Sequence, residues 1–352
     1  MINLASIAQH YRADFERAYG DRMTHVHSRA LDQIIRCHTP QAGALLYHCG
    51  TCHLNTTLYP SCGHRHCPAC QHQVNGHWLE RQRKKLLPVN YYLVTFTLPA
   101  QLRRFVWTHQ SWAYQAMFQA AQETLLSFFE RDKKLGENPG FTGVLHTHSK
   151  NLTFHPHVHF VVPGGSLNKG KTRWQKKSGK YLFKADNLAQ VFRGKLIALM
   201  SKANYYLPIG TPQEWNADCQ FVGKGDGALT YLARYLYRGV INENNILTLT
   251  NDRVTFQYKN SDTKQFETIT EPAIEFLWRV IQHVLPKGFR RARDFGFLHG
   301  NAKKALMRLQ LVLKVIIRVQ QTVQKRAVRC PQCQSAMELY LMRIGRHLII
   351  AN

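Results

Sequence analysis

The sequence predicts an α+β fold, a small antiparallel sheet backed by helices and preceded by a cysteine-rich segment. Three observations carry that expectation. Strand and helix patterns follow one another between residues 91 and 203. Six of the nine cysteines fall between Cys37 and Cys70. A run of alternating histidines, HPHVH, has the two-residue period of a strand.

Taken in order, residues 1–36 mix apolar and polar residues at a helical period, so one or two helices are expected. The cysteine segment follows, RCHTPQAGALLYHCGTCHLNTTLYPSCGHRHCPACQ. It is rich in Gly and Pro and too irregular for a helix-sheet core. A basic stretch around Trp78 reads as a short helix ending near Pro88. YYLVTFTLP has the β-branched and aromatic content of a strand, with a proline at its end. Residues 101–134 read as one long helix, FTGVLHTHS and HPHVHFVVP as two strands, and residues 168–184 as a basic hairpin or loop. A helix over 186–203, a glycine-rich turn at 223–227 and the helix GALTYLARYLYR come next. The hairpin NILTLTNDRVTFQYKN and helices near 272–285 and 299–327 complete the pattern. Strand, helix, strand, strand, helix is the order of a ferredoxin-like sheet. Three segments are expected: N-terminal helices with the cysteine segment over 1–88, a sheet-bearing domain over 89–270 and a helical C-terminal region with CPQC over 271–352.

Charge limits the partners. Lys and Arg total 47 against 21 Asp and Glu, a formal net charge of +26. Such an excess repels itself unless a polyanion neutralises it, which points to nucleic acid. An anionic membrane surface fits less well: no apolar run approaches the ~18 residues of a spanning helix. The N-terminus carries charges where a signal peptide has its apolar stretch, so a soluble cytoplasmic protein is expected.

Tight CxxC pairs in a reducing compartment usually hold zinc. Cys49 and Cys52, with Cys67 and Cys70, are spaced for one tetrahedral site. Cys37 and Cys62 are extra thiols in the same segment, and His64 and His66 are further candidate ligands, which leaves room for a second zinc. Such a segment either staples itself together or also touches DNA, aided by Arg65, Arg81, Arg83, Lys84 and Lys85. Cys330 and Cys333 supply two ligands and need partners from elsewhere.

On a strand, His155, His157 and His159 share one face, ~7 Å apart at each step. They are either ligands of one ion or a polar stripe toward solvent. Imidazoles suit zinc or manganese better than magnesium, which needs oxygen from a carboxylate, water or phosphate. On a helix, Tyr231 and Tyr235 lie one turn apart on one face, and Tyr237 is rotated away. A phenol, with a reference pKa of ~10, needs a metal or base to act as a nucleophile. The same spacing also describes an amphipathic helix burying its tyrosines. Arg234 and Arg238 are suited to phosphate.

Taken together, SCGHRHCPACQ, VTFTLP, HPHVHFVVPGG, YLARYLYR, DRVTFQYKN and FLWRVIQHVLPKGFRRARDFGFL resemble the HUH endonucleases. In particular they resemble the two-tyrosine transposases of the insertion sequence 91 family. The resemblance implies that His157 and His159 hold a divalent ion, Mg2+ or Mn2+, with His155 a third ligand or a supporting group. It implies Tyr231 and Tyr235 as nucleophiles that nick single-stranded DNA at transposon ends. A 5′-phosphotyrosine then carries strand transfer to a target in rolling-circle transposition, in a bacterial cytoplasm and at the nucleoid when bound to DNA. One departure is His64, where the family pattern expects Asn. A rolling-circle replication initiator shares this chemistry but not the N-terminal cysteine cluster. A non-catalytic zinc-containing DNA-binding regulator leaves the histidines without a purpose, and a metal hydrolase needs acidic ligands that HPHVHFVVPGG lacks.

Overall fold

The computed structural model describes residues 2–227, 229–230, 240–260, 262–315, 327–344 and 347–350. They form two compact units that interleave along the chain, whereas the sequence suggested three consecutive segments. One unit comprises residues 1–73, 239–284 and 318–352; the other comprises 74–238 and 285–317.

In the first unit, α1 (Leu4–His10), α2 (Arg12–Tyr19) and α3 (His25–Arg36) replace the one or two helices expected. Local chemistry sets the starts. Asn3 caps α1 in a reciprocal capping box with Ser6, and Thr24 does the same for α3 with His27. Two strands, β1 (Ala44–His48) and β2 (Asn55–Leu58), lie inside the cysteine segment, which is therefore less irregular than its composition suggested. They join β13 (Glu338–Ile344) and β14 (His347–Ile350) in a sheet of order β14-β13-β1-β2. The late β13–β14 pair is not among the elements expected in the helical C-terminal region. A second sheet joins the expected hairpin, β9 (Ile246–Thr250) and β10 (Arg253–Lys259), to a third strand, β11 (Phe266–Pro272). Helix α8 (Ala273–Ile281) buries Phe276 and Leu277. Its Trp278 stacks parallel on Tyr19 with ring centroids 4.8 Å apart, and the Arg22 guanidinium lies 4.4 Å from the Trp278 ring centre.

The second unit takes in α4 (Gln71–Arg83) from Val74 onward and then β3 (Tyr91–Thr97). The expected long helix is broken at His109 (φ −123°, ψ 37°) into α5 (Arg103–Thr108) and α6 (Gln110–Arg131). Then come β4 (Gly140–His148), β5 (Phe154–Pro163), the small hairpin β6 (Gly165–Leu167) and β7 (Trp174–Lys176), α7 (Ala185–Lys202) and β8 (Asn216–Phe221). β12 (Ala292–Gly296) and α9 (Lys303–Val312) follow later in the chain. The sheet is antiparallel throughout, in the order β12-β4-β5-β3-β8.

Strand alternation gives this sheet two different faces. Phe96, Phe141, Leu145, Val158 and Phe160 point toward α6 and α7 and form the main core with Phe118 and Phe192. Gly143 sits opposite Phe160 across β4 and β5, and a Cβ there would lie 2.5 Å from the Phe160 ring. Truncating Phe160 to Ala would cost about 3–5 kcal/mol. On the other face, Tyr91, Leu93, Val144 and Val161 pack with Trp78 of α4, Leu309 of α9 and Leu229. That second cluster fills one end of the face. The histidines occupy the other.

Candidate functional site

Across the sheet, Val144 pairs with His159 and His146 with His157, so His146 of β4 joins the histidine face of β5. Ring centroids lie 4.5 Å apart for His146 and His159, 4.8 Å for His157 and His159, and 5.2 Å for His146 and His157. One ligand atom from each of the three lies within 4.8 Å of the other two. His155 does not join them. Its Nδ1 accepts a hydrogen bond from the Arg103 guanidinium at 3.1 Å. The spacing of β5 placed three histidines on one face, but the third member of the group comes from the neighbouring strand. FTGVLHTHS was legible as a strand; only the pairing register puts His146 beside His157.

Neighbouring groups fix the orientation of two rings. His157 donates from Nδ1 to the carbonyl oxygen of His155 at 2.7 Å, which leaves Nε2 with its lone pair. His159 Nδ1 lies 2.7 Å from the Thr95 hydroxyl on β3, directly across the ladder. Burial pushes His157 down to about 4 and holds His146 and His159 well below the ordinary imidazole value. All three are neutral near pH 7, the form that binds a metal. Among the described residues no carboxylate belongs to the group.

Tyr231, Tyr235, Arg234 and Arg238 lie outside the described residues. The approach to them is described. The turn at 223–227 closes on β3, with the Tyr91 amide donating to Gly223 at 2.8 Å and the Val222 amide to Tyr91 at 2.9 Å. Gly225 has φ +91°, and a Cβ there would meet the Tyr91 ring at 2.6 Å, so the position requires glycine. Residues 226–227 and 229–230 are helical, and Leu229 is buried in the cluster that holds Val144 and Val161.

Basic residues offered for DNA divide into two kinds. Arg65, Arg81 and Lys84 are exposed. Arg83 instead bonds Asp226 at 2.8 Å, and Lys85 bonds Asp294 at 2.5 Å. Asp294 also accepts from Thr142 at 2.6 Å and from Gln82 at 3.1 Å, so Lys85 belongs to a half-buried network.

The six early cysteines fall into two groups, and Cys49 and Cys52 do not join Cys67 and Cys70 in the one site expected from their spacing. Cys37, Cys62, Cys67 and Cys70 form one group of four, with Cys37 and Cys62 each near Cys70 at 3.3 and 3.4 Å between sulfurs. Cys37 ends α3, and Cys70 ends a short 3-10 turn leading into α4. His64 and His66 are not members. Cys62 and the other nearby thiols oppose ionisation of Cys67, a conflict that a bound dication reverses. Cys49 and Cys52 lie apart from this group, beside Cys330 and Cys333.

Residues 140–305 match a family of putative transposases, and residues 7–98 match a transposase zinc-binding domain of the insertion sequence 91 type. The chain is 31% identical over 323 residues to the putative transposase y4qJ of Sinorhizobium fredii, covering 82% of this chain and 80% of that protein. It belongs to the insertion sequence 91 transposases. This transposase is also 27% identical over 285 residues to the transposase for insertion sequence element IS801 of Pseudomonas savastanoi pv. phaseolicola, covering 76% of this chain and 68% of that one. No solved structure matches the transposase. The zinc-binding match encloses the Cys37, Cys62, Cys67 and Cys70 group, four thiols that could hold one Zn2+, and also Cys49 and Cys52. Among its described residues no helix is long and apolar enough to cross a membrane.

Proposed function

We propose that this transposase nicks single-stranded DNA at the ends of its element through Tyr231 and Tyr235, with His146, His157 and His159 holding a divalent ion. The position of Leu229 carries the proposal. It begins the tyrosine segment and is buried with Val144 and Val161, which share the histidine face. The βαββαβ order of β3, β4, β5 and β8, with β5 and β3 central, supports reading the sheet as a ferredoxin-like HUH unit.

The donor set fits a metal: three neutral imidazoles, His146 and His159 buried and His157 half-buried, with His157 oriented through Nδ1 so that its Nε2 is left for coordination and His159 Nδ1 held beside the Thr95 hydroxyl. Nitrogen ligands favour manganese or a similar ion over magnesium. A bound divalent ion supplies orientation and charge neutralisation at the scissile phosphate. A tyrosine oxygen attacks the phosphorus, the bond to the 3′ oxygen breaks, and that oxygen takes up a proton. The products are a 5′-phosphotyrosine and a free 3′-hydroxyl. The covalent link keeps the energy of the broken diester for strand transfer, and a second tyrosine can accept a second end, as rolling-circle transposition requires. The net charge of +26 suits the DNA partner.

The test is direct. Protein is incubated with Mn2+ and a 3′-labelled single strand carrying the element's end, then denatured. Label should remain with the protein and map to Tyr231 or Tyr235 by mass spectrometry. A label on another residue, or none with active protein, removes the proposal.

A further inference from the structure

Cys330 and Cys333 lie far beyond the zinc-binding match at 7–98, yet the fold brings them onto Cys49 and Cys52. Cys49 and Cys333 have sulfurs 3.5 Å apart, and so do Cys52 and Cys330, across 284 and 278 residues of chain. All four sulfurs lie within 4.8 Å of one another, and all four cysteines are free. Four thiolates around a zinc at ~2.3 Å stand about 3.8 Å apart, so the cluster has the dimensions of a tetrahedral site.

The backbone on either side is built twice to one plan. In the first turn the Cys49 amide donates to Leu54 at 2.9 Å and the His53 amide to Cys49 at 2.8 Å. In the second the Cys330 amide donates to Ser335 at 2.9 Å and the Gln334 amide to Cys330 at 2.9 Å. The residue after each CxxC is left-handed, His53 at φ 60° and Gln334 at φ 61°. The amide two residues beyond each second cysteine, Leu54 or Ser335, points at that cysteine's sulfur. In both turns the first cysteine is fully buried; of the second, Cys52 is half-buried and Cys333 exposed. The Cys67–Cys70 pair does not share this plan, because its Cys70 amide donates to Cys67 in a 3-10 turn. Two matching turns facing each other with four converging sulfurs are unexplained by packing alone. The apolar cluster around them is small, with Met337 its one other buried member among the described residues.

We infer that Cys49, Cys52, Cys330 and Cys333 hold a second zinc ion, and that this ion clasps the late β13–β14 pair onto the N-terminal strands. The metal and the β1–β13 ladder make one joint: β1 runs directly into Cys49, and the second turn leads through Met337 into β13.

The test uses the full chain, purified reduced. Elemental analysis should give about two zinc ions per chain, in line with two four-cysteine sites. Cys330→Ser with Cys333→Ser should lose one zinc and keep the other. Cys67→Ser with Cys70→Ser should lose the other one. Hydrogen exchange over residues 338–344 should rise in the first double variant and stay slow in the second. Should the double variants fail to fold, Co2+-loaded wild type and Cys333→His are compared instead. The cobalt spectrum of the wild type should report all-thiolate tetrahedral sites, and half of it should shift toward a three-thiolate, one-imidazole signature in the variant. One zinc per wild-type chain, two zinc retained by the Cys330 and Cys333 variant, or an unshifted cobalt spectrum would overturn the inference.

Discussion

His146 and His157 face each other directly across β4 and β5, their ring centroids 5.2 Å apart. His155, on the same strand face as His157, is held instead by Arg103. His146→Ala should therefore reduce nicking as severely as His157→Ala or His159→Ala, by more than the ~10–100-fold typical of groups that only support a ligand. His155→Ala should fall within that smaller range. Single-turnover nicking measured across Mn2+ concentrations separates the two. Equal loss at His155 and none at His146 would reverse the assignment.

Thr95 tests the orientation of His159 without touching a ligand. Thr95→Val removes the hydroxyl 2.7 Å from Nδ1 and keeps the branched shape. Mn2+ affinity, read by calorimetry, should weaken about 10–100-fold while the melting temperature of the metal-free protein changes little.

The buried imidazoles make stability depend on pH in a definite direction. His157 is pushed down to about 4 from an ordinary value near 6.5, and His146 and His159 are also lowered, in each case chiefly by burial. Between those values the unfolded chain binds more protons than the folded one, so stability rises with pH through this window. Metal-free protein should melt at a constant temperature above about pH 7 and progressively lower as pH falls from ~6.5 toward 4. His157→Ala should flatten part of that slope. A melting temperature that rises on acidification in this window would refute the placement.

Lys85 and Arg81 should behave differently although both are basic residues of one segment. Lys85→Ala leaves Asp294 without its cation in a half-buried network and should cost about 1–3 kcal/mol of stability. Exposed Arg81, changed to Ala, should leave stability within ~0.5 kcal/mol. If it meets a phosphate, the same change lowers the salt slope of single-strand binding by roughly 0.7. Denaturant melts and salt-dependent binding isotherms read the two effects.

Tyr231→Phe with Tyr235→Phe should abolish the covalent adduct while the fold survives, because only hydroxyls are removed. Each single variant should fail to complete transposition, even where one still nicks. An unchanged adduct in the double variant would return both residues to a packing role.

Much of the second unit was legible because its strands are locally distinctive. β3 and β5 are β-branched and aromatic, close on proline, and bury every other residue in the core. β8 was missed because NADCQF mixes polar and apolar residues without a clean period, and β12, ARDFG, is short and charged. At the site, sequence spacing put His155, His157 and His159 on one strand face, and two of these, His157 and His159, fall in the histidine group. It missed His146, whose membership depends on how β4 registers against β5. The cysteines show the same limit over a longer span. Cys49 and Cys52 sit nearer in sequence to Cys67 and Cys70 than to Cys330 and Cys333. Yet a strand pairing between β1 and β13 decides their partners, and local pattern does not encode that pairing.

That ladder also orders events at the ribosome. β1 is synthesised almost three hundred residues before β13, its neighbour in the sheet. At roughly 5–20 residues per second, the first strand waits on the order of tens of seconds for its partner. The sheet unit's run from β3 to β8 emerges entirely within that interval. The nascent chain can thus assemble its histidine face while β1 still has an open edge. Any chaperone that guards this polypeptide during translation should be found on residues 44–58, and should leave only when the last hairpin arrives.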